Sequence, residues 1–210
     1  MTSGSGSAPL AMVVCGALIA EVRRIVEARG WRADLYGVPA TYHMRPSKIV
    51  AAVDEQLERI RGRYDRVIVV YGDCGSAGAL DDVLRRHDVQ RPSGSHCYEI
   101  LCGCGFGGLL ERDPTTYFLT DYLVRAWDDV VVREMGLDRE PSLREAVFGG
   151  FTSVTYLRQS PDPGLLAGAQ RIATELVLPL NVEDIGLGQL EMQLTRLIEE
   201  PAPHGVRLEK

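Results

Sequence analysis

The sequence predicts an α/β fold, in which a mainly parallel sheet carries helices on both faces. Short apolar segments rich in β-branched residues alternate along the chain with longer segments whose apolar residues recur at helical spacing. Such alternation is typical of parallel sheets, because the chain must cross back over the sheet between one strand and the next. At 210 residues the chain is long enough to bury a proper hydrophobic core.

The first half of the chain supplies three predicted strands and three predicted helices. Gly30 provides a left-handed stop for the first helix, and Pro46 suits the first turn of the second. The third strand is a continuous apolar run of the kind that is buried on both faces. We predict strands at 11–15, 31–38 and 66–72, and helices at 17–29, 46–64 and 77–88.

The second half continues the alternation after a glycine-rich segment. Residues 96–113 look helical at both ends, but they contain four glycines, and each glycine costs a helix about 1 kcal/mol relative to alanine. A regular helix through them is therefore not expected. Thr120 or Asp121 is predicted to cap a long helix. We predict a short strand and this long helix over 116–138, then a strand at 151–159, a helix at 162–176 and a last strand at 177–187.

We expect a single α/β domain over residues 11–200, with a small C-terminal βαβ lobe from about residue 150 as an alternative. Residues 1–10 read as a disordered tail without the basic start of a secretory signal, and residues 201–210 as a frayed one. No stretch reaches the 18 to 20 or so apolar residues that a membrane helix needs. A cytoplasmic protein without a membrane partner is expected. The net charge of −6 argues against a nucleic-acid partner.

Five cysteines are the main functional signal. A disulfide framework is not expected, because the cytosol keeps thiols reduced and the count is odd. Cys15 and Cys74 each follow a predicted strand, beside a glycine and before a helix, and Cys97 lies at a third loop-to-helix junction. The carboxyl ends of parallel strands share one edge of the sheet, where ligands gather. We expect helix N-termini there to lower the pKa of the thiols.

Three thiolates at one point would suit Zn²⁺ or an iron–sulfur cluster, with one position left open for a substrate. The spacing matches none of the usual zinc motifs, so packing of the three as small apolar residues remains an alternative. For Cys102 and Cys104 packing is the preferred interpretation. His43 is a candidate for proton transfer or substrate orientation, with an ordinary surface position as the alternative. His96 could be a metal ligand, a general base or a cap of the next helix. Asp73 and Glu99 lie next to the candidate ligands. Glu21 reads as part of a solvated helix face.

Several motifs in order resemble the family called domain of unknown function 1638, over residues from about 11 to 190. They are CGAL..E at 15–21, YGDCG at 71–75, HCYE at 96–99, TYFLTDYLV at 116–124, GLD at 136–138 and VTYLRQS at 154–160. The resemblance matches Cys15, Cys74 and Cys97 to family cysteines, whereas the CGCG of residues 102–105 does not belong to the pattern. Proteins of this family are found beside corrinoid-dependent and pterin-linked methyltransferases. The resemblance thus implies a role in one-carbon metabolism.

These observations combine into one hypothesis. Cys15, Cys74 and Cys97 bind one metal, with zinc first and an iron–sulfur cluster as the alternative, and His43, His96 and Glu99 handle the substrate. The protein would take part in methyl transfer with a corrinoid or folate carrier on a partner, which favours an enzyme. A non-catalytic accessory protein that docks on a corrinoid protein or its methyltransferase, and a redox module with a cluster, stay open as rivals.

Overall fold

The structure is a computed structural model that describes residues 10–200. It confirms the α/β class: the chain forms two parallel three-stranded sheets surrounded by helices. Two compact units contain these sheets. Within the described residues, the N-terminal unit comprises 10–100 together with 189–200, and the second unit comprises 101–188. Of the tails predicted for 1–10 and 201–210, residues 1–9 and 201–210 lie outside the described residues, and Leu10 is not part of a tail, since it is buried as the first residue of β1.

The N-terminal unit is built on a sheet with β1 at its centre, in the order β2-β1-β3. β1 pairs in parallel with both neighbours, so that the carboxyl ends of all three strands lie at one edge. Every residue of β1 is buried, as expected for the middle strand of a sheet covered on both faces. The bounds are β1 Leu10–Cys15, α1 Ile19–Arg29, β2 Ala33–Val38, α2 Pro46–Ile60, β3 Arg66–Val70 and α3 Ala79–His87.

Local signals end and begin these helices as predicted. Gly30 closes α1 in the left-handed conformation, with φ of 63°. α2 starts at Pro46, whose missing N–H costs nothing in a first turn. Between β2 and α2, residues Ala40–Met44 form a 3₁₀ helix, which the sequence reading did not anticipate. This short helix lies directly after the carboxyl end of β2.

A fourth chain segment lies alongside β3, on the side of that strand away from β1. Gln90 makes an isolated parallel bridge with Ile68 of β3, and the Val69 amide donates a hydrogen bond of 2.9 Å to the Gln90 carbonyl. The chain therefore runs alongside β3 before it enters residues 91–96, which we call the bracing loop. α4, Cys97–Cys102, follows this loop. Cys97 thus follows a segment that makes only a single β-bridge with the sheet.

A C-terminal helix that the sequence reading missed completes this unit. α9 spans Gly188–Glu199, with Leu190 and Leu194 buried at a spacing of four residues. One guanidinium nitrogen of Arg66 donates to the carbonyls of Leu197 and Ile198, both at 2.6 Å, and of Glu200 at 3.0 Å. These carbonyls have no partner in the last turn of a helix, so Arg66 caps α9 from β3.

The second unit has a parallel sheet in the order β4-β5-β6. Its core is aromatic and aliphatic, with Trp127, Phe148 and Tyr156 packed against buried residues of α8. β6 forms one edge and is largely exposed. The bounds are α5 Gly105–Arg112, β4 Thr116–Thr120, α6 Asp121–Arg125, α7 Leu143–Phe148, β5 Ser153–Arg158, α8 Pro163–Leu176 and β6 Leu180–Asp184.

Two helical segments differ from the prediction. α5 includes Gly105, Gly107 and Gly108, although glycine disfavours helices, and only Gly103, with φ of 61°, interrupts the segment. The long helix expected after β4 is divided into α6 and a π-helix over Trp127–Arg133. Its predicted cap is confirmed, because the Thr120 hydroxyl accepts the Leu123 amide at 3.3 Å.

A buried carboxylate closes the carboxyl edge of this second sheet. Asp121 is fully buried and accepts hydrogen bonds from the Tyr156 hydroxyl at 2.7 Å, the Gln159 amide at 3.0 Å and the Ser160 hydroxyl at 2.6 Å. The buried carboxyl group of Asp121 therefore has three hydrogen-bond donors, as burial of a polar group requires. None of the helices in residues 10–200 is long and apolar enough to cross a membrane.

Candidate thiol-rich site

Cys15, Cys74 and Cys97 lie at the carboxyl edge of the β2-β1-β3 sheet. Cys15 is the last residue of β1, Cys74 lies in the loop after β3, and Cys97 opens α4. The three thiols are close enough for charge on one to act on another: thiolates at Cys15 and Cys74 both raise the pKa of Cys97, and Cys74 does the same to Cys15. The shared edge predicted from the strand pattern therefore brings these side chains into one neighbourhood.

The expected lowering of the thiol pKa values is wrong. Burial raises the pKa of Cys15 to about 12 and that of Cys74 to about 11, and it raises the pKa of Cys97 as well. Desolvation is the largest cause in each case, because a buried thiolate has lost its hydration. Backbone amides at the start of the following helices, that of Leu18 for Cys15 and that of Tyr98 for Cys97, lower these pKa values, but burial outweighs them. At neutral pH the three side chains are thiols.

This neighbourhood is not yet a coordination shell. Within residues 10–200, no group of three or more His, Cys, Asp and Glu side chains stands in the arrangement that would hold a metal ion. The sulfurs share a neighbourhood without meeting at one point.

The loop after β3 presents Cys74 in an unusual backbone conformation. Cys74 has φ of 48° and Ala77 has φ of 52°, in the left-handed region that non-glycine residues rarely adopt. Asp73 holds this loop: its carboxylate accepts the Ser76 hydroxyl at 2.6 Å and the Gly78 amide at 2.9 Å. These hydrogen bonds lower the pKa of Asp73. Asp73 thus shapes the loop that carries Cys74.

The Cys74 loop and the bracing loop touch through their backbones. The Cys74 amide donates to the Ser95 carbonyl at 2.8 Å. A side chain at Gly72 would lie 2.7 Å from the Cα of His96, so only glycine permits this approach. The backbone amide of Cys97 in turn interacts with the Cys74 sulfur and lowers the pKa of Cys74. Cys74 and Cys97 are therefore held together by main-chain contacts.

His43 is brought to the thiols by the 3₁₀ helix after β2. Its Nδ1 lies 2.6 Å from the Ala40 carbonyl, and its Nε2 lies 4.0 Å from the Cys15 sulfur. Because a carbonyl only accepts hydrogen bonds, Nδ1 carries the proton in neutral His43, and the Nε2 lone pair faces Cys15. A nitrogen and a sulfur bound to the same tetrahedral Zn²⁺ are about 3.5 Å apart. The observed separation is therefore near that of two ligands of one ion.

His96 and Glu99 form the N-terminal cap of α4. The His96 Nδ1 accepts the Glu99 amide at 3.4 Å, and the Glu99 carboxylate accepts the Ser95 amide at 2.6 Å. This arrangement is a variant of the capping box, in which Glu99 reaches the amide one residue before the N-cap His96. The hydrogen bond from Ser95 also lowers the pKa of Glu99. His96 thus acts as a helix cap, which was one of the alternatives for it. A role of His96 or Glu99 in proton transfer stays a prediction.

Sequence reasoning missed Tyr71, which lies among the thiols. Tyr71 is 0% exposed, and its ring stacks on His43 with centroids 5.6 Å apart. Its hydroxyl has no hydrogen-bond partner among the residues described. Burial and the charges of thiolates at Cys15, Cys74 and Cys97 all raise the pKa of Tyr71. The signal was present in the YGDCG motif, where an aromatic residue precedes the glycine of a buried strand end.

Two further residues, Glu21 and Arg91, have surroundings that the sequence did not predict. Glu21 was expected on a solvated helix face, but it is buried, with 2% exposure. Arg91, which was not singled out, makes a two-pronged ion pair with Asp81 at 2.7 and 3.2 Å and donates to the Gly94 carbonyl at 2.9 Å. Arg91 therefore ties the bracing loop to α3.

Cys102 and Cys104 lie outside the N-terminal unit, at and after the end of α4. Cys102 is half-buried, and burial raises its pKa to about 11. Cys104 is exposed, so the expectation that it packs as a small apolar residue is wrong. All five cysteines are free thiols.

The chemistry of the donor set at the sheet edge fits a soft divalent cation. Sulfur and imidazole nitrogen are the ligands that zinc prefers, and separate chain segments bring both to this edge of the sheet. The unpartnered Tyr71 hydroxyl is a further polar group that this edge leaves unsatisfied. Buried polar groups are nearly always hydrogen-bonded in proteins, and unsatisfied ones point to a strained or functional place.

Comparison with known proteins gives one match. A family model described as "Protein of unknown function (DUF1638)" matches residues 38–194, which include Cys74 and Cys97 and begin after Cys15. No curated protein and no solved structure matches the chain. Because the matched residues make up most of the chain, the protein belongs to this family, DUF1638.

Proposed function

We propose that the N-terminal unit binds one metal ion, Zn²⁺ in the first place, through Cys15, Cys74 and Cys97, and that this site serves methyl transfer with a corrinoid or folate carrier. One observation carries the metal: the buried Cys15 and the half-buried Cys74 and Cys97 reach the carboxyl edge of one sheet from three separate chain segments. Charge on Cys74 raises the pKa of Cys15, and charge on either of these two raises the pKa of Cys97. A core has no need of such a cluster, since Val or Ala would pack equally well.

The neutral state of the thiols favours this proposal. Burial holds the pKa of Cys15 and Cys74 far above neutrality, so neither is poised as a free thiolate nucleophile. A divalent cation would change this, because a bound metal deprotonates its thiol ligands. In the proposed state three thiolates and one Zn²⁺ leave the fourth position for a substrate.

His43 would act on the substrate in this arrangement. Its Nε2 lone pair faces the site, and the hydrogen bond from Nδ1 to the Ala40 carbonyl fixes the ring. An acceptor thiol that enters the site would give its proton to Nε2, while the methyl group leaves its carrier and bonds to sulfur. The metal supplies Lewis acidity and stabilises a thiolate at neutral pH without redox side reactions.

The methyl carriers in this proposal are those that the family resemblance implies. A corrinoid protein or a folate would deliver the methyl group, and the thiol-rich edge would receive it. His96 and Glu99, which cap α4, would fix the position of Cys97 in this scheme. Any proton transfer by these two would require their present hydrogen bonds to break.

Metal analysis of protein purified without oxygen tests the site. We expect about one zinc per chain, colourless protein, and loss of the metal in Cys74→Ser, because serine is a poor ligand for zinc. Cys102→Ser is the matched control, since Cys102 is a half-buried thiol outside the thiol cluster. Full occupancy in the Cys74→Ser variant would overturn the assignment.

The same preparation separates the rival functions. Brown protein with absorbance near ~400 nm would identify a cluster and a redox role. Metal-free protein that still co-purifies with a corrinoid protein would identify an accessory role. For the enzyme, we expect zinc-loaded protein to demethylate methylcobalamin in the presence of a thiol, and we expect His43→Gln to slow this reaction about a hundredfold, as for loss of a general base. Equal rates in both proteins would remove His43 from the scheme.

A further inference from the structure

One face of the β4-β5-β6 sheet is polar, although helix α5 lies against it. Residues paired across parallel strands share a face, and the register places five polar side chains on the face under α5: Thr116, Ser153, Thr155, Asn181 and Glu183. The three hydroxyl residues among them are at most 6% exposed. A sheet face that a helix covers is normally apolar, because burial of polar groups costs free energy. Packing alone therefore does not account for this face.

The hydroxyl groups of this face bond to one another and hold a carboxylate. The hydroxyl oxygens of Thr116 and Thr155 are 2.8 Å apart, and that of Ser153 lies 2.7 Å from Thr116 Oγ1. Ser153 also donates to the carboxylate of Asp113, which the Thr115 hydroxyl reaches at 3.3 Å. Among residues 10–200, no cationic side chain pairs with Asp113. The carboxylate is thus fixed in position while its charge is left without a counterion.

A cavity of about 540 Å³ lies between α5 and this face. Its lining is partly apolar and partly polar, and it includes Leu109, Phe118, Arg112, Asp113, Thr155 and Asn181. Both the volume and the combination of apolar walls with a few polar groups are typical of sites for small molecules. The polar face is therefore explained if the cavity holds a ligand.

Arg112 and Asp113 present opposite charges to the same cavity. Arg112 pairs with Glu183 through one guanidinium nitrogen, and a guanidinium carries five N–H donors, so donors remain for a second carboxylate. A ligand that carries both a carboxylate and an ammonium group would pair with both residues. A simple anion would leave Asp113 without a counterion, and a simple cation would leave the other donors of Arg112 unused.

We propose that this cavity binds an apolar α-amino acid, with its carboxylate on Arg112, its ammonium group on Asp113 and its side chain against Leu109 and Phe118. An α-amino acid carries its two charged groups on one carbon atom, which suits charged partners from two consecutive residues. The inference is independent of the thiol-rich site, because every residue that it uses belongs to the second unit.

Titration of the protein with L-leucine tests the proposal, with calorimetry for affinity and NMR for location. We expect L-leucine to bind and to shift the backbone amide signals of Thr155 and Asn181, which line the cavity. Isocaproate has the same carbon skeleton without the ammonium group, and isoamylamine has the same side chain without the carboxylate. We expect each of these to bind about tenfold more weakly than L-leucine, since each lacks one charge-assisted contact.

Two variants assign the two contacts separately. Arg112→Gln, at an exposed position, should weaken L-leucine and isocaproate about tenfold and should not weaken isoamylamine, because only the first two ligands carry a carboxylate. Asp113→Asn should weaken L-leucine and isoamylamine and leave isocaproate unchanged. Arg133→Gln is the matched control, since Arg133 pairs with Asp129 on the surface of the same unit and does not line the cavity. It should leave all three affinities unchanged.

Three results would contradict the proposal. If L-leucine, L-valine and L-phenylalanine all fail to bind, the cavity is not a site for apolar amino acids. If L-leucine binds equally well to wild type, Arg112→Gln and Asp113→Asn, it binds elsewhere. If isocaproate or isoamylamine binds as tightly as L-leucine, the cavity recognises a single charge, and the assigned class of ligand is wrong.

Discussion

At the scale of single residues, the main feature of the site is that its three cysteine side chains are protonated. The sulfur atoms at the sheet edge are buried before any ion arrives, and burial raises their pKa values far enough to keep them neutral. Neutral thiols cost the fold nothing, whereas three uncompensated thiolates would repel one another. The proposed ion therefore competes with three protons for the same electron pairs, and its binding must depend on pH.

This competition predicts a proton release of about two to three per Zn²⁺ bound at pH 7. The sign follows from the raised pKa values: below them the free thiols hold their protons, so affinity rises with pH, by about tenfold per unit for each proton released. Calorimetric titration in buffers of different ionisation enthalpy measures the number directly. The Cys102→Ser variant should release the same number, and a heat independent of the buffer would contradict this account.

The meeting of the thiols was predictable from sequence, and their protonation was not. Cys15 and Cys74 each follow an apolar run and a parallel sheet places the ends of such runs together, so the pattern alone brings them to one edge. The pKa of a thiol depends on what covers it. That covering comes from Tyr71, His43 and the bracing loop, which are distant in sequence, and no local pattern reports their packing.

At the scale of elements, the bracing loop decides where Cys97 stands. Arg91 fastens this loop to α3 through Asp81, and on the other side Gln193 of α9 accepts the Ser93 amide at 2.8 Å and donates to the Ile100 carbonyl at 3.2 Å. The loop therefore has anchors on two helices. Its Ser95 carbonyl receives the Cys74 amide, so the anchors also fix the Cys74 loop.

Arg91→Gln is expected to loosen this pair of loops without unfolding the unit. Loss of the ion pair with Asp81 and of the bond to the Gly94 carbonyl removes the anchor on α3, because glutamine cannot reach both. Hydrogen exchange of the Cys74 amide should accelerate about tenfold, and Zn²⁺ affinity should fall with it. Exchange is measured by NMR on ion-free protein.

Arg85→Gln provides the comparison for this experiment. Arg85 pairs with Asp82 on the same helix α3, but both side chains are exposed and neither anchors the bracing loop. Surface pairs of this kind contribute little, so exchange at Cys74 should not change. Equal exchange rates in Arg91→Gln and wild type would show that the loop is held by other contacts.

The elements themselves were predicted where the local signal is strong. The strand at 66–72 and the helix that starts at Pro46 were found, because β-branched runs and a first-turn proline are strong signals. α5 contradicts its glycine content because Phe106 is buried, and such packing overrides propensity. α9 was missed although Leu190, Leu194 and Leu197 recur at helical spacing, which marks an apolar stripe.

At the scale of the whole chain, the N-terminal unit is discontinuous. The three strands of its sheet lie before residue 100. Residues 189–200, which form most of α9, also belong to this unit, although they follow the second unit in the sequence. The unit therefore joins segments that are far apart in the sequence. Arg66 links two of them, since it lies on β3 and caps the carbonyls at the end of α9.

Arg66→Met is therefore expected to destabilise the N-terminal unit by about 1–3 kcal/mol, the loss of hydrogen bonds from a charged donor, while methionine keeps most of the aliphatic packing. Urea unfolding of ion-free protein measures it. Arg196→Gln, which removes only an exposed pair with Glu200 on the same helix, should change the free energy of unfolding by less than about 0.5 kcal/mol. If both variants unfold alike, Arg66 does not stabilise the attachment of α9. The helix would then be held by the burial of Leu190 and Leu194 and by the hydrogen bonds of Gln193.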